Sequence, residues 1–155
     1  MKINNFKELD GREMRIAIVQ SRFNEKITNG LKSGAISALL ESGVKDNDIS
    51  IYMTPGSFEI PLFCQNLAKV KKVDGIIALG AVIKGETAHF EYVSSGSING
   101  IMNVMLNKNI PITLGILTVY NSKQAHVRSK ENKNNKGREA AMALVDLIGS
   151  LRKIK

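Results

Sequence analysis

The stretch Leu79-Gly80-Ala81-Val82-Ile83-Lys84-Gly85-Glu86-Thr87-Ala88-His89-Phe90 holds the side chains with the clearest chemistry in this chain. An apolar run over 75–79 breaks into a glycine-bounded loop. That loop delivers a threonine, an acid and a histidine into the first turn of an expected helix. A strand, a glycine loop and a helix N-terminus in succession form an anion site. Unpaired backbone N–H groups and the positive end of the helix dipole converge there. Gly85, Glu86 and Thr87 offer amides and a hydroxyl to a phosphate, and an imidazole two residues on moves protons near neutral pH. His89 thus reads as a proton carrier or as a structural histidine. The segment predicts an enzyme acting on a small phosphorylated molecule.

Three further clusters follow apolar runs. Arg22-Phe23-Asn24 places an aromatic at a strand-to-helix junction, where Phe23 is either core or a flat platform for a heterocycle. Asn24 reads equally as a helix cap. In Pro55-Gly56-Ser57-Phe58-Glu59-Ile60-Pro61, Glu59 lies in a first helical turn, where the dipole favours a carboxylate. The same group also suits ligand hydroxyls, with exposed amides near Ser57. Arg128 and Lys136 flank a polar loop; each is a phosphate ligand or a solvated charge.

Alternating strands and helices are needed to hold these clusters. Residues 15–20, 49–53, 75–82 and 112–119 read as strands. Residues 24–43, 57–70, 87–107, 121–128 and 136–152 read as helices. The first helix carries Ile27, Leu31, Ala35, Ala38 and Leu39 at three- to four-residue spacing; the last carries Ala140, Ala141, Leu144, Leu147, Ile148 and Leu151. Such alternation predicts a three-layer α/β/α sandwich around a four-stranded parallel sheet, in one domain over 1–155. In such sheets ligands bind beyond the carboxyl ends of the strands, where all four clusters fall.

Composition narrows the class. The 155 residues are 43% hydrophobic and 23% charged, as expected of a globular chain. No apolar run reaches the roughly 18 residues of a membrane span, and the first ten residues have no signal-peptide core, so the expected compartment is the cytoplasm. One cysteine, Cys64, excludes an internal disulfide framework; Leu62, Phe63 and Leu67 around it predict a packed helical thiol. His89 and His126 lack metal-ligand spacing with acids or Cys, so no metal is expected. The net charge of +8 is concentrated in 123–138 and 152–155, without a nucleic-acid-binding motif, so no nucleic-acid partner is expected. The GxGxxG fingerprint, the Walker-type phosphate loop and the GxSxG elbow are absent.

In order and spacing, the clusters resemble the 6,7-dimethyl-8-ribityllumazine synthase family of riboflavin biosynthesis. The resemblance runs from about residue 15 to 151. It rests on Arg22-Phe23-Asn24, 55–61, 80–90, Gln124-Ala125 with Arg128, and Asn135-Lys136-Gly137 with Glu139-Ala140-Ala141. It implies a flavodoxin-like fold, with an N-terminal strand pairing with a neighbouring subunit. It also implies condensation of 5-amino-6-(D-ribitylamino)uracil with 3,4-dihydroxy-2-butanone 4-phosphate, without a cofactor. Phe23 would stack on the pyrimidine. Asn24, Ser57 and Glu59 would hold the ribityl chain, with Phe58 beside them, and Val82 and Ile83 would line the ring pocket. Lys84, Gly85, Glu86 and Thr87 would form the phosphate side, completed by Arg128, with His89 shuttling protons. Leu114 and Lys136 would approach the pyrimidine.

The family further implies a homopentamer with sites shared between subunits, a sixty-subunit icosahedral shell in some members, and riboflavin synthase as a candidate partner. The chain departs from the family at Lys84, often Arg; at Leu114, often Phe; and in 129–134, usually richer in Ala and Gly. A pentameric riboflavin synthase and a flavin-binding module are the alternatives.

Overall fold

The computed structural model describes residues 9–70 and 72–154. Four strands, β1 (Ile16–Ser21), β2 (Ile49–Thr54), β3 (Gly75–Ile83) and β4 (Ile112–Val119), form one sheet in the order β2-β1-β3-β4. Every pairing is parallel, with Ile16 opposite both Ile49 and Gly75, and Ile76 opposite Ile112. Both central strands read as near-continuous apolar runs because both of their faces are covered. β1 is buried throughout and β3 in all but its last residue. The predicted sandwich and its four strands are thus present, each within a residue of its expected bounds. An N-terminal strand ahead of β1 falls on residues that include 1–8, outside the described residues.

Five helices cover the sheet: α1 (Glu25–Glu41), α2 (Ile60–Val70), α3 (His89–Lys108), α4 (Ser122–Ser129) and α5 (Lys136–Arg152). Strand residues alternate between two apolar layers. Ile16, Ile18, Ile77 and Leu79 pack with Leu31 and Leu39 of α1 and Leu144 and Ile148 of α5. Ala17, Val19, Ile76 and Ala78 face Ile60 and Cys64 of α2 and Ile101 and Val104 of α3. No helix among the described residues is long and apolar enough to cross a membrane.

Two helix starts differ from expectation. The segment from Ser57 begins as a 3-10 turn, Ser57–Glu59, and becomes α-helical only at Ile60. The third helix begins at His89 rather than Thr87, whose hydroxyl accepts the His89 N–H at 3.3 Å. Thr87 therefore stays outside the helix and satisfies one of its free donors.

Helices α1 and α5 approach each other at glycine. A Cβ on Gly137 would collide with the carbonyl of Leu31. Beside this contact, Arg138 donates two hydrogen bonds to Glu41, at 2.9 and 2.6 Å, and so lowers the Glu41 carboxyl pKa. Gly137→Ala is expected to destabilise the fold by about 1–3 kcal/mol, the usual cost of overpacking. Urea unfolding reads this, and an unchanged midpoint would contradict the close approach.

Cys64 is fully buried, and burial pushes its thiol up to about 12. Because the thiolate is the reactive form, the native protein is expected not to react with a thiol-specific reagent at pH 8 until denaturant is added. Rapid native labelling at one thiol per chain would refute this packing.

Candidate active site

The carboxyl ends of β1, β2 and β3 surround a hollow of about 670 Å³. The chain leaving β1 is laced to that leaving β2, with Arg22 N–H donating to Thr54 O at 2.8 Å and Phe23 N–H to Pro55 O at 3.1 Å. This pairing holds the Phe23 ring on the rim, where it is 71% exposed. An aromatic so exposed is not part of this chain's core.

The β2 exit bends through Pro55 and Gly56. Thr54 Oγ1 donates to Gly56 O at 2.9 Å, and Gly56 N–H donates to Glu59 Oε2 at 2.9 Å. One oxygen of Glu59 thus closes the turn. The carboxylate still lines the hollow together with Ser57 and Phe58. Ser57 is buried and sits against β3: a Cβ on Gly80 would collide with its hydroxyl oxygen.

From β3 come Val82, Ile83, Gly85 and Thr87, with His89 at the first position of α3. A Cβ on Gly85 would meet nothing within 4 Å, so a ligand can approach this backbone closely. Next to it lies the N-terminus of a twenty-residue helix, with donors and dipole turned to the same space. An acceptor-rich anion at Gly85–Thr87 would lie beside His89, and a flat ring could lie against Phe23. Phe90, Tyr92 and Val93 also line the hollow and were not among the expected site residues. Tyr92 could have been found by its three-residue spacing from His89, which puts both on one helical face.

Three expected residues lie next to this hollow without lining it. Asn24 is the N-cap of α1 by position, with φ 59°, but its side chain makes no capping bond. Its Nδ2 donates instead to Ala81 O at 2.9 Å and ties the start of α1 to β3. Lys84 Nζ donates to Glu91 at 2.7 Å and lies 5.8 and 5.9 Å from the ring centres of Phe90 and Tyr120. The hydrogen bond to Glu91 raises the Lys84 pKa. Glu86 is exposed.

The remaining expected residues line a different hollow, of about 470 Å³, along the edge strand β4. Leu114 is 47% exposed there, with Arg128 and Lys136 beside it. Arg128 Nη1 donates to Gln124 O at 3.2 Å, and Lys136 Nζ pairs with Glu139 at 2.8 Å. The two hollows share no lining residue. Within one chain the structure brings Phe23, Ser57, Phe58, Glu59, Val82, Ile83, Gly85, Thr87 and His89 together; it does not bring Leu114, Arg128 and Lys136 to them. Among the described residues no group of three or more His, Cys, Asp or Glu side chains is placed to hold a metal ion.

Comparison with known proteins identifies the family. The family model described as 6,7-dimethyl-8-ribityllumazine synthase matches residues 13–152. The chain is 44% identical to the 6,7-dimethyl-8-ribityllumazine synthase 1 of Caulobacter vibrioides, over 91% of this chain and 92% of that one. It is 42% identical to the 6,7-dimethyl-8-ribityllumazine synthase of Leuconostoc mesenteroides subsp. mesenteroides, over 96% of both. Likeness of this extent covers both hollows and the whole sheet, and the chain belongs to the 6,7-dimethyl-8-ribityllumazine synthase family.

Proposed function

We infer that the chain catalyses the 6,7-dimethyl-8-ribityllumazine synthase reaction, a transferase step of riboflavin biosynthesis. The observation that carries the reading in the structure is the meeting of an open backbone at Gly85, the N-terminus of α3, His89 and the exposed Phe23 ring around one hollow. A phosphorylated ketone and a flat heterocyclic amine need that set of groups side by side. The amine nitrogen of 5-amino-6-(D-ribitylamino)uracil attacks the ketone carbonyl of 3,4-dihydroxy-2-butanone 4-phosphate, and water leaves as the Schiff base forms. A proton leaves carbon 3 of the butanone as inorganic phosphate departs from carbon 4 with the C–O bond electrons, and the enol so formed tautomerises to a ketone at carbon 3. Ring closure by the ribitylamino nitrogen onto this new carbonyl releases a second water and gives the lumazine.

His89 is assigned to carry protons between nitrogen, oxygen and solvent during these steps. The amides at Gly85–Thr87 hold the phosphate, Phe23 stacks on the pyrimidine, the Ser57 hydroxyl exchanges hydrogen bonds with the ribityl hydroxyls, and the Glu59 carboxylate accepts from them. Holding both reactants in contact supplies much of the acceleration, since an oriented pair reacts as a single molecule.

Arg128 is assigned to the phosphate, and Leu114 and Lys136 to the pyrimidine side. Their place in a separate hollow supports a homopentamer in which one subunit's β4 edge completes the neighbour's site. The exposed Met102 and Leu106 on α3, at 47% and 69%, supply apolar surface for packing between subunits. The cytoplasm is the proposed compartment, in keeping with a lone unpaired thiol.

His89→Ala is expected to keep the fold and slow turnover by about 100-fold, within the range of general acid–base catalysis. Absorbance assay of lumazine formation across pH reads this; an unchanged profile would remove His89 from proton transfer. Arg128→Ala is expected to raise KM for the butanone phosphate about 10- to 100-fold, as for a lost charge-assisted contact, and to leave KM for the pyrimidine nearly unchanged. Mixed His89→Ala and Arg128→Ala subunits should regain activity at hybrid interfaces. Native mass spectrometry should show fivefold species. An active monomer, or verified mixing without recovery, would exclude the shared site.

A further inference from the structure

The segment between Arg128 and Lys136 is closed by one buried side chain. Asn135 is fully buried. Its Nδ2 donates to the carbonyls of Ser129 at 3.0 Å, Lys130 at 2.9 Å and Gly30 at 3.0 Å. A primary amide has two N–H groups, so three acceptors at these distances share two protons. Its Oδ1 accepts the Arg138 N–H at 3.0 Å and caps α5. A Cβ on Gly34 would collide with this amide, so α1 walls it in from one side.

The positions of these bonds matter more than their number. Ser129 and Lys130 directly follow Arg128, and Asn135 directly precedes Lys136. The amide therefore clamps the residue behind one cation to the residues beyond the other. Its third acceptor, Gly30 O, anchors the clamp to α1. The other hydrogen bonds described within 129–135 are local. Asn132 N–H donates to Lys130 O, Asn134 N–H to Asn132 Oδ1, and Asn135 N–H to Asn132 O. Both cations line the hollow beside β4. Among the described residues Arg128 has no carboxylate at ion-pair distance, so its charge is available to an anion.

We propose that Asn135 is a positioning residue, setting the place at which Arg128 meets the phosphorylated substrate relative to Lys136 on the pyrimidine side. The proposal rests on the reading of Arg128 as the phosphate ligand. Asn135 does not touch substrate; it acts through the two cations. Buried amides of this kind are costly to leave unpaired, so the loop adopts the one conformation that satisfies the amide.

Asn135→Asp tests this in the full-length assembled protein. The substitution is nearly isosteric and keeps the oxygen that caps α5. It replaces the donating NH2 by an oxygen facing three carbonyls, so the clamp opens. The dissociation constant for inorganic phosphate, read by titration calorimetry, and KM for the butanone phosphate are both expected to rise about 10-fold. Turnover at saturation is expected to change less. In the Arg128→Ala background the same substitution is expected to add little, because coupled residues are not additive. Where Asn135→Asp fails to fold, Gly34→Ala takes its place, since the added methyl displaces the amide while keeping all its groups. A lower melting temperature with unchanged phosphate affinity and KM, or effects that add fully to those of Arg128→Ala, would overturn the proposal. Absence of lumazine formation by the unaltered protein would instead overturn the proposed function, and the phosphate titration would still decide the clamp.

Discussion

Parallel pairing of β1 with both β2 and β3 buries the middle of the sheet on two faces and makes every strand emerge at one rim. Evenly spaced, slanted ladder bonds leave the backbone satisfied inside two apolar layers, so the strands can be almost wholly hydrophobic. Polar chemistry is then excluded from the strand interiors and gathers where the chain turns over the carboxyl ends. Phe23, the 55–59 turn and the 84–89 loop are neighbours for this reason, although long helices separate them along the chain. The return helices point their N-termini back towards the same rim, so free amides of the kind that suit an anion gather there as a by-product of the topology.

The same topology limits what one chain achieves. β4 lies at the edge, and its outer side meets no fifth strand among the described residues. Leu114, Arg128 and Lys136 gather along that edge, away from His89. The division separates an aromatic half, which carries the Glu59 carboxylate, from a half that carries Arg128 and Lys136. Lys84 is held by Glu91 and bracketed by Phe90 and Tyr120. It tethers the start of the 84–88 loop to α3 and lines neither hollow.

Strands, helix faces and rim clusters were legible in the sequence because each rests on local pattern: apolar runs, three- to four-residue spacing, and turn residues between them. The polar loop over 129–135 and the start of α5 at Lys136 were legible in the same way. What was hidden depends on partners far along the chain. Asn24 sits where a cap belongs, yet its amide serves Ala81, fifty-seven positions away. The short 3-10 turn at Ser57 places that residue's hydroxyl against Gly80, twenty-three positions away, a contact with no local mark. Tyr92 carries one local mark, its three-residue spacing from His89 on the same helical face; its exposure alone says nothing of its purpose. The separation of Leu114, Arg128 and Lys136 from His89 was not legible in local pattern and was implied only by the family resemblance, since adjacency across a sheet edge is a property of the whole fold.

The fit between Ser57 and Gly80 has an evolutionary consequence. The hydroxyl occupies the volume that any side chain at position 80 would need, and Ser57 itself is buried at the floor of the hollow. A larger residue at 80 would lift the 57–59 turn away from β3 and carry Glu59 with it, whereas glycine at 57 would vacate the space first. Drift at these two positions is therefore ordered: 57 must shrink before 80 can grow. Among descendants of this sequence the pair should covary, with bulk at one accompanied by its loss at the other, and the depth of the hollow should be inherited as a joint property of two residues twenty-three positions apart.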